Sequence, residues 1–305
     1  MQRAVQEVQK AIVGKPRAIR TAFVALLAQG HALIEDRPGL GKTTLVRAVA
    51  QALGCQFRRI QFTPDLLPSD ITGVHILEPG QTDFRFRPGP IFGQIILADE
   101  INRASPKTQS SLLEAMEERQ VTVEGTTYPL PEPFVVMATQ NPVEYEGTFP
   151  LPEAQLDRFL VKIVLGYPSF AEEREILRRQ EKGRLLDEVQ TVASAAAVLQ
   201  AQKEIRQVYL SDLVADYIIS LTTRTRTHPG VYLGASPRAT IALERAARAL
   251  AYLSGRDFVL PDDVKELAIA VLAHRIMPNS EGLLKGITGE EIVSQVLKET
   301  PAPVR

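Results

Sequence analysis

The chain has 305 residues, 45% of them hydrophobic and 23% charged, with a formal net charge of −1 at pH 7. These totals describe an ordinary globular protein, long enough for two domains. They argue against a surface built throughout to coat nucleic acid or an anionic membrane, though a locally basic channel stays open. The single cysteine, Cys55, excludes an intramolecular disulfide and reads as a small buried residue at a helix end.

In chain order, residues 18–29 read as a helix and 31-HALIED-36 as a short strand. The loop 37-RPGLGK-42 feeds a helix that runs to Leu53 and is stopped by Gly54. Residues 56–63 read as a strand. The run 94-QIILAD-99 is short, apolar and β-branched, as expected of a strand buried on both faces. Ser105 and Pro106 are placed as N-cap and first residue of a helix over 107–119. Strands follow at 134-FVVMAT-139 and 159-FLVKIVL-165. Strand, helix and strand at this spacing predict a parallel α/β sheet. Two stretches with period-two alternation interrupt it, 73–92 around Pro79-Gly80 and 120–131 around Glu124-Gly125. Each is either a plain surface hairpin or a functional insert.

After Pro168 the pattern turns helical. Ser169 and Glu172 form a capping box for a helix to about Lys182. Residues 188–203, 210–226, 237–253 and 261–274 read as helices, and no strand is expected beyond 168. The expected division is an α/β domain over 1–168 and an all-helical one over 169–305. The tail 300-TPAPVR-305 is expected to fray.

The chemistry begins at 34-IEDRPGLGKTTLVRA-48. A phosphate-binding loop has the form G-x-x-x-x-G-K-[ST], and Gly41, Lys42 and Thr43 fit its end. Its first glycine is replaced by Asp36, which reads as a tolerated change where the turn does not approach the phosphates. Gly39 and Gly41 let the backbone lie close to a polyphosphate, Lys42 supplies the cation, and the Thr43 hydroxyl supplies a Mg²⁺ ligand. Alone, the loop is also compatible with an ordinary helix start. About 57 residues on, 95-IILADE-100 is an apolar strand ending in two acids. Asp99 suits a Mg²⁺ ion and Glu100 suits an attacking water. Loop and acid pair explain each other as a Mg-nucleotide site. In 138-ATQNP-142, the Asn141 amide can orient that water.

With these segments in view the sequence resembles an AAA+ ATPase, and within that group the MoxR family. The resemblance is carried by 35-EDRPGLGKTTL-45, 95-IILADEINRASPKTQSSLLEAMEERQVTVEG-125, 137-MATQNPVEYEGTFPLPEAQLDRF-159 and 235-ASPRA-239. It implies a five-stranded parallel sheet ordered 5-1-4-3-2 with a helical lid, a helix-2 insertion at 73–92 and a pre-sensor hairpin at 120–131. It implies Walker A roles for Lys42 and Thr43 within the ATP-binding run Arg37, Pro38, Gly39, Leu40, Gly41 and Thr44. Walker B roles fall to Asp99 and Glu100, sensor 1 to Asn141, an arginine finger to Arg158 and sensor 2 to Arg238. Val13 and Gly14, in 12-IVGK-15, resemble the adenine-side motif. Arg238 is expected on the γ-phosphate of its own subunit. Arg158, just before the last strand, is expected to complete a neighbour's site, which requires a closed head-to-tail ring. Out of context each arginine reads better as a surface ion pair. Arg103 is a further interface candidate.

The function implied is ATP hydrolysis by a ring, a hexamer by family expectation, that remodels client proteins with a separate von Willebrand factor A domain partner. A DNA-associated motor and the ATPase subunit of a magnesium chelatase are the alternatives. Nucleic acid is not the expected partner at this charge balance. His31, His75, His228 and His274 lack metal-ligand spacing, so the metal expected is Mg²⁺ brought with ATP. No stretch approaches the roughly 18 apolar residues of a membrane span. The first residues lack the apolar run of a secretory leader. The location expected is the cytoplasm.

Overall fold

The computed structural model describes residues 1–77, 83–141, 147–181, 183 and 185–303. Its centre is a five-stranded parallel sheet of β1 (Ala32–Glu35), β2 (Phe57–Gln61), β3 (Ile95–Asp99), β4 (Val135–Gln140) and β5 (Val161–Ile163). The spatial order is β2-β3-β4-β1-β5, which is 5-1-4-3-2 read from the other edge. Around it the helices run α1 (Gln2–Ala11), α2 (Pro16–Leu27), α3 (Lys42–Ala52), α4 (Pro68–Thr72), α5 (Pro106–Glu118), α6 (Glu153–Leu156) and α7 (Phe170–Gln180). The lid helices are α8 (Ala195–Ile205), α9 (Asp212–Thr227), α10 (Pro237–Leu253), α11 (Pro261–Leu272), α12 (Ser280–Leu284) and α13 (Gly289–Glu299).

Successive side chains of a strand point to opposite faces, and here each face has its own core. Ala32, Ile34, Ile95, Leu97, Val135 and Met137 join α1, α2 and α3 in one apolar cluster that continues into α8 to α11 and α13. Leu33, Ile96, Ala98, Val136 and Ala138 pack in a second cluster with α5 and with Val121 and Tyr128 of the 120–131 insert. Each fully buried aliphatic side chain contributes about 1.5–3 kcal/mol, so the shared first cluster fastens lid to sheet. Proline at the first helical position opens α2, α5, α10 and α11, and serine caps α5, α7, α8, α9 and α10.

Several expectations need correction. Residues 2–11 form a helix, α1, which the even spread of charge and amide concealed. The segment read as helix 188–203 becomes helical only at Ala195, after the Ser194 cap; before it, Val192 and Ala193 donate backbone N–H bonds to the Ala52 carbonyl. Beyond 168 there is a small antiparallel pair, Val231–Leu233 with Met277–Pro278, too short to show alternation. α12 and α13 were not anticipated. In the tail, Thr300 is buried and donates to the Val296 carbonyl, and Ala302 packs on the core; residues 304–305 lie outside the described residues. The expected helix end at Lys182 and the turn at Pro79-Gly80 also lie outside them.

The two inserts are hairpins, Gly73–Leu77 with Phe84–Pro88 and Gln120–Val123 with Thr126–Pro129. They touch each other. Phe86 stacks on Tyr128 at 4.0 Å, and His75 pairs with Glu124 at 3.1 Å. Phe84 stays 70% exposed near the end of the first hairpin. Cys55 is buried, and burial lifts its thiol to about 11, which keeps it inert.

Candidate functional site

In a parallel sheet every strand ends at the same edge, and the loops that follow converge there. Pro38, Gly39, Gly41, Lys42, Thr43 and Thr44 after β1, Asp99 and Glu100 after β3, and Asn141 after β4 line one cleft of about 350 Å³. Gly39 and Gly41 have φ of 82° and 86°, a left-handed conformation that side chains resist. Gly41 is the N-cap of α3, so the positive end of that helix opens into the cleft. Arg37, Leu40, Val13 and Gly14 do not line it. Arg37 instead donates to the Tyr167 hydroxyl at 3.1 Å. Gly14, at φ 72°, lies where an added Cβ would meet the Glu172 carboxylate at 1.8 Å. Lys15 donates to the Tyr167 carbonyl at 2.9 Å, so this second group gathers at the start of α7.

Asp36 is more than tolerated. Its buried carboxylate accepts three backbone N–H bonds, from Arg37 at 3.0 Å and from Leu165 and Gly166 at 2.7 Å each. Its carbonyl accepts from Lys42 Nζ at 2.6 Å. The residue that breaks the glycine formula ties the phosphate loop to the connection between β5 and α7.

The acid pair is held in detail. Asp99 Oδ1 accepts the Thr139 hydroxyl at 2.6 Å, and Oδ2 pairs with Arg59 at 2.6 Å. Glu100 has φ 58° and ψ 50°, a rare conformation for a side-chain-bearing residue and one that marks functional sites. Its N–H donates to Thr139 Oγ1 at 2.8 Å. Its carboxylate accepts from Gln61 at 2.9 Å and pairs with Arg103 at 3.2 Å. Arg103 therefore sits on the acid pair of its own chain. Sequence reasoning missed Arg59, Gln61 and Thr139. The visible signal was polar residues two apart on β2, beside an acid-ended strand.

Arg158 lies at the other edge of the sheet, just before β5. There it pairs with Glu117 at 3.2 Å. Glu117 stands at the end of α5, which runs back from β3 to that edge. Arg238, at the start of α10, pairs with the same Glu117 carboxylate. Arg158 and Arg238 together line a separate cavity of about 800 Å³ whose lining includes none of the loop or acid-pair residues. Arg238, expected on the nucleotide of its own subunit, is thus set apart from the phosphate cleft of its own chain. Even the four residues of β1 span about 13 Å at roughly 3.3 Å per residue, beyond the reach of a side chain from one edge to phosphates at the other. The lid packs along α2, through α10, and this places Arg238 beside the finger candidate. Arg275 was also missed. It is buried, with its Nε on Asp157 Oδ1 at 2.6 Å and its Nη2 on the Phe159 carbonyl at 2.6 Å, and it clasps the turn that carries Arg158. Among the described residues no group of three or more metal-ligating side chains is present. No helix of the described residues is long and apolar enough to cross a membrane.

A phosphate loop, an acid pair and a polar strand-end amide on a 5-1-4-3-2 sheet, with a helical lid, define an ATPase of the AAA+ class. Residues 31–161 match the model of the ATPase family associated with various cellular activities, and 223–296 match the AAA lid domain. The YeaC protein of Bacillus subtilis is 52% identical over 99% of this chain and 95% of its own. The chaperone MoxR1 of Mycobacterium tuberculosis is 43% identical over 99% of this chain and 82% of its own. A crystal structure of a protein from Cytophaga hutchinsonii described as an ATPase superposes with a TM-score of 0.92, at 43% identity, over 99% of this chain and 94% of that one. The chain belongs to the MoxR family of AAA+ ATPases.

Proposed function

We propose that this ATPase works as a head-to-tail ring in which each nucleotide site is completed by Arg158 and Arg238 of the next subunit, and that the ring remodels client proteins. The observation that carries the reading is the separation of the two halves of the site: the phosphate cleft at one edge of the sheet, both arginines on Glu117 at the other. A head-to-tail contact brings such edges together between copies.

In this reading the backbone of the loop and Lys42 hold the triphosphate. Thr43 and Asp99 fit a Mg²⁺ ion, which when bound neutralises charge on the phosphate oxygens. Glu100 takes a proton from the attacking water, Asn141 orients that water, and the γ-phosphoryl group passes to it as ADP leaves. The neighbour's two guanidinium groups stabilise the charge that develops, an effect of about 10³–10⁵ in rate for one finger. Val13, Gly14 and Arg37 lie toward the α7 side, where the base would sit. Gln61 and Arg103 must release Glu100, and Arg59 must release Asp99, before the site turns over. A division into a nucleotide-binding unit, 1–168, and a lid, 169–305, follows from these roles. The relative named as a chaperone supports protein clients, and a separate partner with a von Willebrand factor A domain accords with the family resemblance. The paired hairpins, with Phe84 exposed, are the surface offered to a client.

The test mixes two disabled variants. Glu100→Gln lacks the water-activating carboxylate but keeps its arginines; Arg158→Ala lacks the finger but keeps its carboxylate. Each alone is expected to be nearly inactive. An equal mixture should regain roughly a quarter of the wild-type rate, because random assembly gives a quarter of interfaces both good groups. An inactive mixture of demonstrably exchanging subunits would remove the trans assignment. The same mixture made with Arg238→Ala tests the second arginine.

A further inference from the structure

The cavity that contains Arg158 and Arg238 is also lined, toward the end of α2, by arginines that the hydrolysis reading does not use. Six arginines line the whole cavity against two carboxylates, Glu117 and Asp157, a surplus of four positive charges in a chain whose net charge is −1. The carboxylates serve Arg158, Arg238 and Arg275. The remaining three, Arg119, Arg206 and Arg245, crowd the C-terminal end of α2. Arg119 donates to the Gln29 carbonyl at 2.7 Å, Arg206 to the Gln29 side-chain oxygen at 2.8 Å, and Arg245 to the Ala28 carbonyl. All three partners are neutral oxygens. The helix end offers about half a negative charge against three positive ones. Two acids act on the group from a distance, Glu132 on Arg119 and Glu244 on Arg245, but Glu244 is itself bonded to Arg248. Burial pulls the pKa of Arg119 and Arg245 down, and the charges of Arg119 and Arg206 depress Arg245 further. One or two donors would satisfy a helix end; a third cation adds repulsion that a bound anion would relieve.

We propose that the lobe formed by Arg119, Arg206 and Arg245 is a binding site for an oligophosphate, separate from the phosphate loop and from the Arg158–Arg238 pair. Guanidinium groups grip phosphate oxygens with paired, charge-assisted bonds, and three of them around one open lobe match an anion carrying several charges. A cavity of about 800 Å³ is within the range of small-ligand sites. The phosphate chemistry has two possible sources, a free oligophosphate or the nucleotide held by another subunit, and the geometry favours the first. Arg158 and Arg238 already face the second, and the three arginines of the lobe lie beyond them at the end of α2. The site stands whether or not the ring reading is right.

The experiment titrates inorganic tripolyphosphate, without Mg²⁺ and at low salt, into full-length protein carrying Lys42→Ala, which disables the phosphate loop. Calorimetry should find about one site per chain. Adding Arg206→Glu should weaken binding at least tenfold while the melting temperature stays put, because Arg206 is exposed and bonds only a side chain. Adding Arg158→Ala and Arg238→Ala instead should leave binding within about twofold. Arg119→Gln with Arg245→Gln gives a second, charge-removing variant, read alongside its melting curve. Binding seen in the parent but lost in Lys42→Ala would assign the anion to the phosphate loop and overturn the proposal. So would binding indifferent to Arg206→Glu, or binding abolished by the Arg158 and Arg238 changes, which would return the cavity to the neighbour's nucleotide. None of these readouts depends on hydrolysis, so a failure here is distinct from a failure of the proposed activity.

Discussion

Replacing Asp36 by glycine would restore the usual phosphate-loop formula, and the structure predicts that it damages the protein. One carboxylate oxygen of Asp36 accepts from Leu165 N and Gly166 N, and the other from Arg37 N. Leu165 is buried, so glycine leaves its N–H without a partner and with little access for water. A buried donor stranded this way costs about 1–3 kcal/mol. The half-buried Gly166 N–H recovers part of its loss from solvent. Glycine adds chain freedom worth about 0.5–1 kcal/mol in the unfolded state. The total is about 2–4 kcal/mol, which at about 2–4 °C per kcal/mol lowers the melting temperature by about 4–16 °C. The loop also loses its tie to the β5–α7 connection, so nucleotide affinity, read with a fluorescent ATP analogue, should fall about tenfold or more. Asp36→Asn keeps an acceptor but not the charge and should lose roughly half as much stability. A glycine variant that melts and binds like the wild type would refute the clamp and leave Asp36 as a bystander.

Two further tests follow from the same geometry. His31 is buried; its Nδ1 accepts the Val136 N–H at 2.9 Å, so its proton lies on Nε2, which donates to the Met116 carbonyl at 3.0 Å. Burial lowers its pKa from 6.5 to about 4. Between those values the unfolded chain binds a proton that the folded one refuses, so stability is full above about pH 6.5. It falls as the pH drops toward 4, by about 3 kcal/mol for this group. His274, also pushed down by burial, adds loss of the same sign. His31→Gln should flatten the dependence of melting temperature on pH in that window, and an unchanged slope would count against the assignment. On the acid pair, Arg59→Ala should lower the Mg²⁺ concentration for half-maximal ATPase by about two- to fivefold, since a partly exposed ion pair competes with about 0.5–1 kcal/mol. An equal or higher Mg²⁺ requirement would show that Arg59 does not compete for Asp99.

The sequence by itself determined the strands, most helices and the half of the site that is built locally. Apolar runs ending in Asp99-Glu100 and Asn141 announce strand ends, and in a parallel sheet those ends share an edge with the loop after β1. Order along the chain therefore translated directly into proximity. Period and capping fixed α5, α7 and α10, because those signals are carried by residues three or four apart. The short pair Val231–Leu233 with Met277–Pro278 left no such mark, since two or three residues cannot show a period. Only the tertiary structure decided what lies far apart in sequence. Asp36 looked like a flaw in a formula until residues 165 and 166 arrived at its carboxylate. Arg238 looked like a residue for its own nucleotide until the lid, packed along α2, brought it to Glu117 beside Arg158. The crowding of Arg119, Arg206 and Arg245 has no local signature at all. Each comes from a different element, and their shared repulsion exists because the end of α2 offers neighbouring oxygens, of Ala28 and Gln29, that draw all three together.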